Sequence, residues 1–296
     1  MILSQTFVNV SKTPTFNTPL YTIKALECVN TFVQKPENNV YGASPTFIVL
    51  TGDPNTSYAR TQCSSFFTRL LQITYPNQIT DQTFTNLFGS KAPNSGKFYD
   101  AVISQNNFKR IFSIFDVQQG DMIFLKYPES NANSGHTMQI YSLQKRSVDT
   151  LPIVEGTEQW EIVVMDSSQS YHGKDDTRIS PNNGIGRGTF RLYVSKADGT
   201  FQGYSWSIAA SSTYYDKSSD RLLVIGRPTF LPVEDKERKF NNNEYVHDFW
   251  NENTHMDVID LVKKDIKNEV SNLRSKDSSS KNEEFDYEKF WNASDD

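Results

Sequence analysis

Cysteine is nearly absent: the 296-residue chain has two, Cys28 and Cys63. A disulfide framework is thereby excluded, with at most one bridge open to the chain. Basic charge is not in excess either, 30 lysines and arginines standing against 35 aspartates and glutamates for a net charge of −5. No basic stripe, zinc-spaced Cys/His cluster or phosphate-binding glycine loop offsets that balance, so the expectation is of no nucleic-acid partner, no metal and no cofactor. Long apolar runs are missing too. No window approaches the roughly 20 apolar residues of a membrane span. The opening MILSQTFVNVSKTPTFNTP lacks the basic start and the apolar run of about 7–15 residues that mark a signal peptide. The compartment therefore stays open.

What is present suits a core: 36% apolar and 13% aromatic residues, enough for one sizeable domain or two small ones. Residues 1–20 are polar and broken by Pro14 and Pro19. Ile23, Leu26, Val29 and Val33 then line one stripe of a helix expected over Tyr21–Val33, with Cys28 as core packing. Tyr41–Pro45 reads as a turn and Thr46–Leu50 as a short strand or loop, before Gly52, Asp53, Pro54 and Asn55 break the chain. Phe66, Phe67, Leu70 and Leu71 give the next helix one apolar face, and a further helix is expected around Phe84, Leu87 and Phe88. Residues 98–112 begin in a helical pattern.

From Val117 the period changes. Met122–Tyr127 reads as a buried strand, His136–Leu143 as an alternating strand that begins at a histidine, and Trp160–Met165 as a strand ending at Asp166–Ser168. Helices followed by a strand meander is an α+β order. Gly184-Ile185-Gly186-Arg187-Gly188 follows no strand and opens no helix, so its glycines are assigned to a tight turn, not to phosphate binding. Composition divides the chain into a globular part, 1–232, and a charged tail, 233–296, with a helical stretch expected over Val258–Leu273. In the tail, Tyr245 with Phe249-Trp250-Asn251 recurs loosely as Tyr287 with Phe290-Trp291-Asn292. These aromatics either fold back on the domain or form two short docking motifs for a protein partner. His247 and His255 are expected to be solvated.

Cys63 opens the second helix, where the peptide dipoles favour the thiolate, the form that attacks a carbonyl carbon. Taken alone it is equally a nucleophile or a buried, inert thiol. A nucleophilic cysteine needs a base and a third group to orient that base, and His136 and Asp166, at ends of neighbouring strands, supply them. The polar run from Asp166 to Arg178 either lines a cleft or forms a solvated loop. In the first case His172 is an alternative third member and Arg178 a clamp for an acidic substrate.

Three segments in register, Cys63-Ser64-Ser65-Phe66-Phe67, Gln119-Gly120-Asp121-Met122-Ile123-Phe124 and Gly135-His136-Thr137-Met138-Gln139-Ile140-Tyr141, resemble the D-C-S-G, G-D-L-V-F and G-H-V-G-I-Y motifs of NlpC/P60-like cysteine peptidases. The resemblance covers residues 40–170. It implies a papain-like α+β fold in which the cysteine-bearing helix packs on an antiparallel sheet. The implied activity is hydrolysis of amide bonds in cell-wall peptides by Cys63, His136 and Asp166, with a peptide or peptidoglycan fragment as substrate and an exported or wall-associated location. Tyr41 weakly echoes the tyrosine ahead of the family's cysteine, and Ser64 adjoins the nucleophile, so both are expected beside substrate. The sequence departs from the family at Gln62, where Asp is usual, at Ser65, where Gly is usual, and at Asp166, where His is common. The same chemistry also admits an acyltransferase or a deamidase, and a binding module that has lost catalysis is a further alternative.

Overall fold

The computed structural model describes residues 18–232, except 129–132, 174, 179–182, 210–211 and 213. The tail, with its Tyr245–Trp250 and Tyr287–Trp291 segments and the Val258–Leu273 helix expectation, lies outside the described residues.

Chain order runs helix first, strands after. Helix α1 (Leu20–Gln34) follows Pro19 and buries Ala25, Cys28, Val29 and Phe32 along one side. Strands β1 (Asn39–Tyr41), β2 (Phe47–Val49) and β3 (Tyr58–Thr61) form a small sheet in the order β1-β3-β2. Tyr41 is thus the last residue of a strand paired parallel to β3, with Thr61 opposite it, and the expected turn begins after it. That partner lies twenty residues on, beyond the reach of a local turn signal.

Helix α2 (Cys63–Thr74) buries the expected Phe66, Phe67, Leu70 and Leu71. Helix α3 (Asp81–Phe88) opens on Thr80, whose side chain accepts from the Thr83 N–H, and closes on Gly89 at φ 65°. Helix α4 (Ser95–Ile103) is capped by Asn94. The helical pattern of 98–112 therefore stops at Ile103, and β4 (Phe108–Ile111) completes that stretch.

The remaining strands are β5 (Met122–Lys126), β6 (Gly135–Lys145), β7 (Thr157–Ser168), β8 (Gly184–Ser195), β9 (Phe201–Ser205), β10 (Asp216–Lys217) and β11 (Leu222–Pro228). With β4 they make an eight-stranded antiparallel sheet in the order β10-β9-β8-β7-β6-β5-β11-β4. The fold is α+β. Met122, Phe124, Met165 and Val224 face the helices and join Phe67, Phe98 and Phe108 in one core. Ile123, Leu125, Met138, Ile140, Val164, Phe190 and Ile225 form a second core on the other face. Burial on both faces is why β5 reads as a continuous apolar run. A bridge between Ser113 and Thr200 joins the chain beyond β4 to the entry of β9, so the sheet curls around the second core.

β7 ends at Asp166–Ser168 as the sequence suggests, and these residues pair with Gly186, Ile185 and Gly184. Those glycines are accordingly extended strand residues of β8, where a tight turn was expected. The pairing of two strands distant in sequence supplies hydrogen-bond partners that composition does not show.

Candidate active site

The start of β6 and the end of β7 share one end of the sheet, and α2 delivers its first residue there. Its buried aromatic and leucine side chains fix the helix against the sheet, and the Gln62 N–H donates to Ser65 Oγ at 2.7 Å across the first turn. Cys63 Sγ lies 3.6 Å from Ser95 Oγ and 4.0 Å from the Gly135 carbonyl oxygen. Ser95, the first residue of α4, is held in turn by Thr137 Oγ1 at 2.8 Å. Burial pushes the Cys63 thiol up, but the His136 imidazolium and hydrogen bonds from His136, Ser95 and the Thr137 N–H bring it below the usual thiol value. Cys28 has no such neighbours. It is fully buried in the helix-side core, where burial raises its thiol strongly.

Gly135 admits the strand to this corner. At φ 134° it adopts a backbone that side chains disfavour, and a Cβ there would lie 1.9 Å from the Leu125 carbonyl oxygen. His136 follows, 6% exposed, with Nε2 at 2.6 Å from Asp166 Oδ2. Nδ1 is thereby left for Cys63. Burial pushes the imidazole down, while the Cys63 thiolate and the Asp166 carboxylate push it up, with a net rise from 6.5 to about 9. Both shifts favour a thiolate beside an imidazolium, with Asp166 on the far side of the ring.

Asp166 is fully buried and has three neighbours of positive or potentially positive charge. His172 Nε2 lies 3.0 Å from the same Oδ2, and Arg178 Nη1 lies 2.9 Å from Oδ1. The same Arg178 nitrogen also donates to the Gly184 carbonyl oxygen at 3.0 Å. Burial raises the Asp166 carboxyl, but Arg178, His172 and His136 together hold it well below the usual carboxylate range. Arg178 also engages Asp176 in a bidentate pair, Nε to Oδ1 at 2.8 Å and Nη2 to Oδ2 at 2.7 Å. In this structure its guanidinium therefore clamps the chain's own carboxylates.

His172, Asp176 and Arg178 come close to β8 because Gly186 and Gly188 carry no side chains there. A Cβ on Gly186 would meet Arg178 Cδ at 2.8 Å, and one on Gly188 would meet His172 Cβ at 2.7 Å and Asp176 Oδ2 at 2.8 Å. The glycines of this run thus serve close approach.

His136, Asp166 and His172 are metal-ligating in kind. Their spacing suits shared protons better. Zinc bonded at about 2.0–2.1 Å in a tetrahedral site spreads its ligand atoms to roughly 3.3 Å, wider than the 2.6 and 3.0 Å found here. The Arg178 cation on the same carboxylate further disfavours a divalent ion.

Aromatic residues border the cysteine. Tyr41 is half-buried, and burial, aided by the charges on Cys63 and Asp166, pushes its hydroxyl up to about 12. Tyr127, just after β5, is pushed up to about 12 by burial, with Cys63 again contributing. Trp206 stacks on His172 at 4.3 Å and meets His136 edge-on at 4.9 Å. Its Nε1 is buried with no hydrogen-bond partner among the described residues. Ser64 is half-buried in the first turn of α2. The structure therefore gathers Cys63, His136, Asp166, His172 and Arg178 into one network with Tyr41 at its edge. Sequence reasoning did not find Ser95, Tyr127, Trp206 or Asp176. Only Asp176 had a local signal, in the polar run after Asp166.

No family model and no solved structure matches the chain. It is 33% identical over 178 residues to the uncharacterized protein R653 of Acanthamoeba polyphaga mimivirus, a match that covers 56% of this chain and 77% of the viral one. The chain belongs to the same family as that viral protein.

Proposed function

We propose that this member of the mimivirus R653 family is a cysteine-nucleophile hydrolase of amide bonds, built on a papain-like core of the NlpC/P60 type. The observation that carries the reading is the run of contacts from a cysteine at a helix N-terminus, through a histidine that lowers its thiol, to a buried carboxylate 2.6 Å from that histidine. The order of these residues along the chain, and their elements, support the NlpC/P60 comparison.

The Cys63 thiolate attacks the amide carbon, and the carbonyl π electrons move to oxygen. N–H groups of the first turn of α2, which lack intrahelical acceptors, stabilise the oxyanion. As the tetrahedral intermediate collapses, the C–N bond breaks and His136 Nδ1 gives its proton to the departing amine. His136, now neutral, takes a proton from water, whose oxygen attacks the thioester. The carboxylic acid leaves and the thiolate–imidazolium pair is restored. Asp166 keeps Nε2 protonated and the ring aimed throughout. The family resemblance favours peptide or peptidoglycan-fragment substrates. An amine acceptor in place of water would make the same site an acyltransferase.

Iodoacetamide labelling with peptide mapping tests the reading. Cys63 is expected to alkylate much faster than Cys28 at neutral pH, and the rate to collapse in H136Q. Slow, equal labelling of both thiols would overturn the proposal. Digestion of purified peptidoglycan beside a panel of protein amides then separates wall hydrolysis from protein modification.

A further inference from the structure

We propose that His172 is a fourth member of this network, a positioning residue that donates a proton to Asp166 Oδ2 and so fixes the carboxylate against His136. The proposal rests on the hydrolase reading above. Its foundation is geometric. His172 Nδ1 lies 2.9 Å from the Trp206 carbonyl oxygen, which can only accept, so Nδ1 carries a hydrogen. Nε2 lies 3.0 Å from Oδ2 of a carboxylate that is also ion-paired to Arg178. An ionised carboxylate likewise only accepts. With acceptors at both ring nitrogens, the ring that satisfies the site is the imidazolium.

Charge and packing agree. Asp166 and Asp176 are buried, and Arg178 with a cationic His172 balances them, while Cys63 and His136 balance each other. The His172 ring lies face to face with the Trp206 indole at 4.3 Å and 26°, an arrangement that attracts a cation. Its backbone N–H donates to Asp176 Oδ2 at 2.8 Å, and Gly188 leaves space for its Cβ. The groups around the two imidazoles come from several elements: Cys63 from α2, Asp166 from β7, Asp176 and Arg178 from the loop after β7, Phe190 from β8 and Trp206 beyond β9.

Two imidazoles on one carboxylate oxygen have a functional consequence. A second donor on Oδ2 stops the carboxylate from rotating and draws off part of its charge. His136 is then held at one angle, with Nδ1 toward Cys63, and keeps enough acidity to release its proton to a leaving amine.

Two variants of the full chain separate this role from packing. H172F keeps a ring against Trp206 and removes both donors, whereas H172Q keeps an N–H for Oδ2. The readout is the rate of Cys63 alkylation by iodoacetamide followed from acid to alkaline pH, with thermal melting as the check on folding. H172F is expected to label Cys63 roughly ten- to a hundredfold more slowly at neutral pH, the size of loss that removing the outer partner of a metal-ligating histidine brings. Its alkaline step should move to higher pH, since Asp166 then bears more fully on His136, and H172Q should recover most of the rate. A wild-type rate and unmoved profile in H172F would overturn the proposal, as would a folded H172Q as slow as H172F. Should H172F fail to fold, nitrogen-15 spectra of the histidines in the unmodified chain decide. Protons on both ring nitrogens of His172 at neutral pH support the role, and a bare Nε2 refutes it. Cys63 labelling no faster than Cys28 in the unmodified chain would instead overturn the hydrolase reading itself.

Discussion

The two cysteines carry the same sulfur into opposite surroundings. Cys28 is packed among the apolar side chains of α1 and its neighbours, where burial outweighs the small opposing pull of Lys24. Cys63 is nearly as buried but faces His136 and Ser95. The rise of His136 to about 9 carries a pH dependence with a definite sign. A group raised in the folded state contributes stability in full below its ordinary 6.5 and loses it as pH climbs through about 9. Cys63 has the opposite sign, contributing above the ordinary thiol value of 9.0 and losing its share as pH falls through its lowered one. Hydrolysis is therefore expected to fall off on the alkaline side near pH 9, and urea titrations should show the wild type losing its advantage over H136Q across 6.5 to 9. Asp166 is a third case at this scale. D166N removes the one charge that Arg178 and two imidazoles share, and breaking such a buried pair is expected to destabilise the fold by about 3–5 kcal/mol. The denaturant midpoint measures it.

Elements decide whether those residues meet. Gly135 brings β6 into the corner, and Gly186 and Gly188 let the polar loop lie on β8. G188A puts a methyl within 2.7 Å of His172 Cβ and 2.8 Å of Asp176 Oδ2. Overpacking of this kind is expected to cost about 1–3 kcal/mol, and Cys63 labelling should slow with it, because the displaced loop loosens Asp166. Urea denaturation and alkylation kinetics on the same protein read both effects. The helix bearing Cys63 and the strand bearing His136 were legible in the sequence, because apolar periodicity and flanking turn residues are local. The paired state of Tyr41 and the strand conformation of the glycine run were not. Each takes its hydrogen bonds from a strand residue sixteen or more positions away.

At the scale of the molecule, one sheet separates two cores and presents the site at its end. Phe98 is a hub of the helix-side core, its ring against those of Phe67, Phe88, Phe108 and Phe124. F98A is expected to lose about 3–5 kcal/mol, as large buried rings do when truncated, seen as a lower urea midpoint. Labelling of Cys63 in the molecules that stay folded should change far less than in G188A, because the lesion lies in apolar packing and not in the charge network. By itself the sequence determined the α+β order, the cysteine at a helix start, and a histidine and an aspartate placed on later strands, since these depend on periodicity and spacing along the chain. Only the tertiary structure decided that His172 and Arg178 turn inward onto Asp166, and that Ser95, Tyr127 and Trp206 close around the pair. The physical reason is that a buried charge is satisfied by whatever groups the fold brings within about 3 Å, and those groups come from segments with no regular spacing between them.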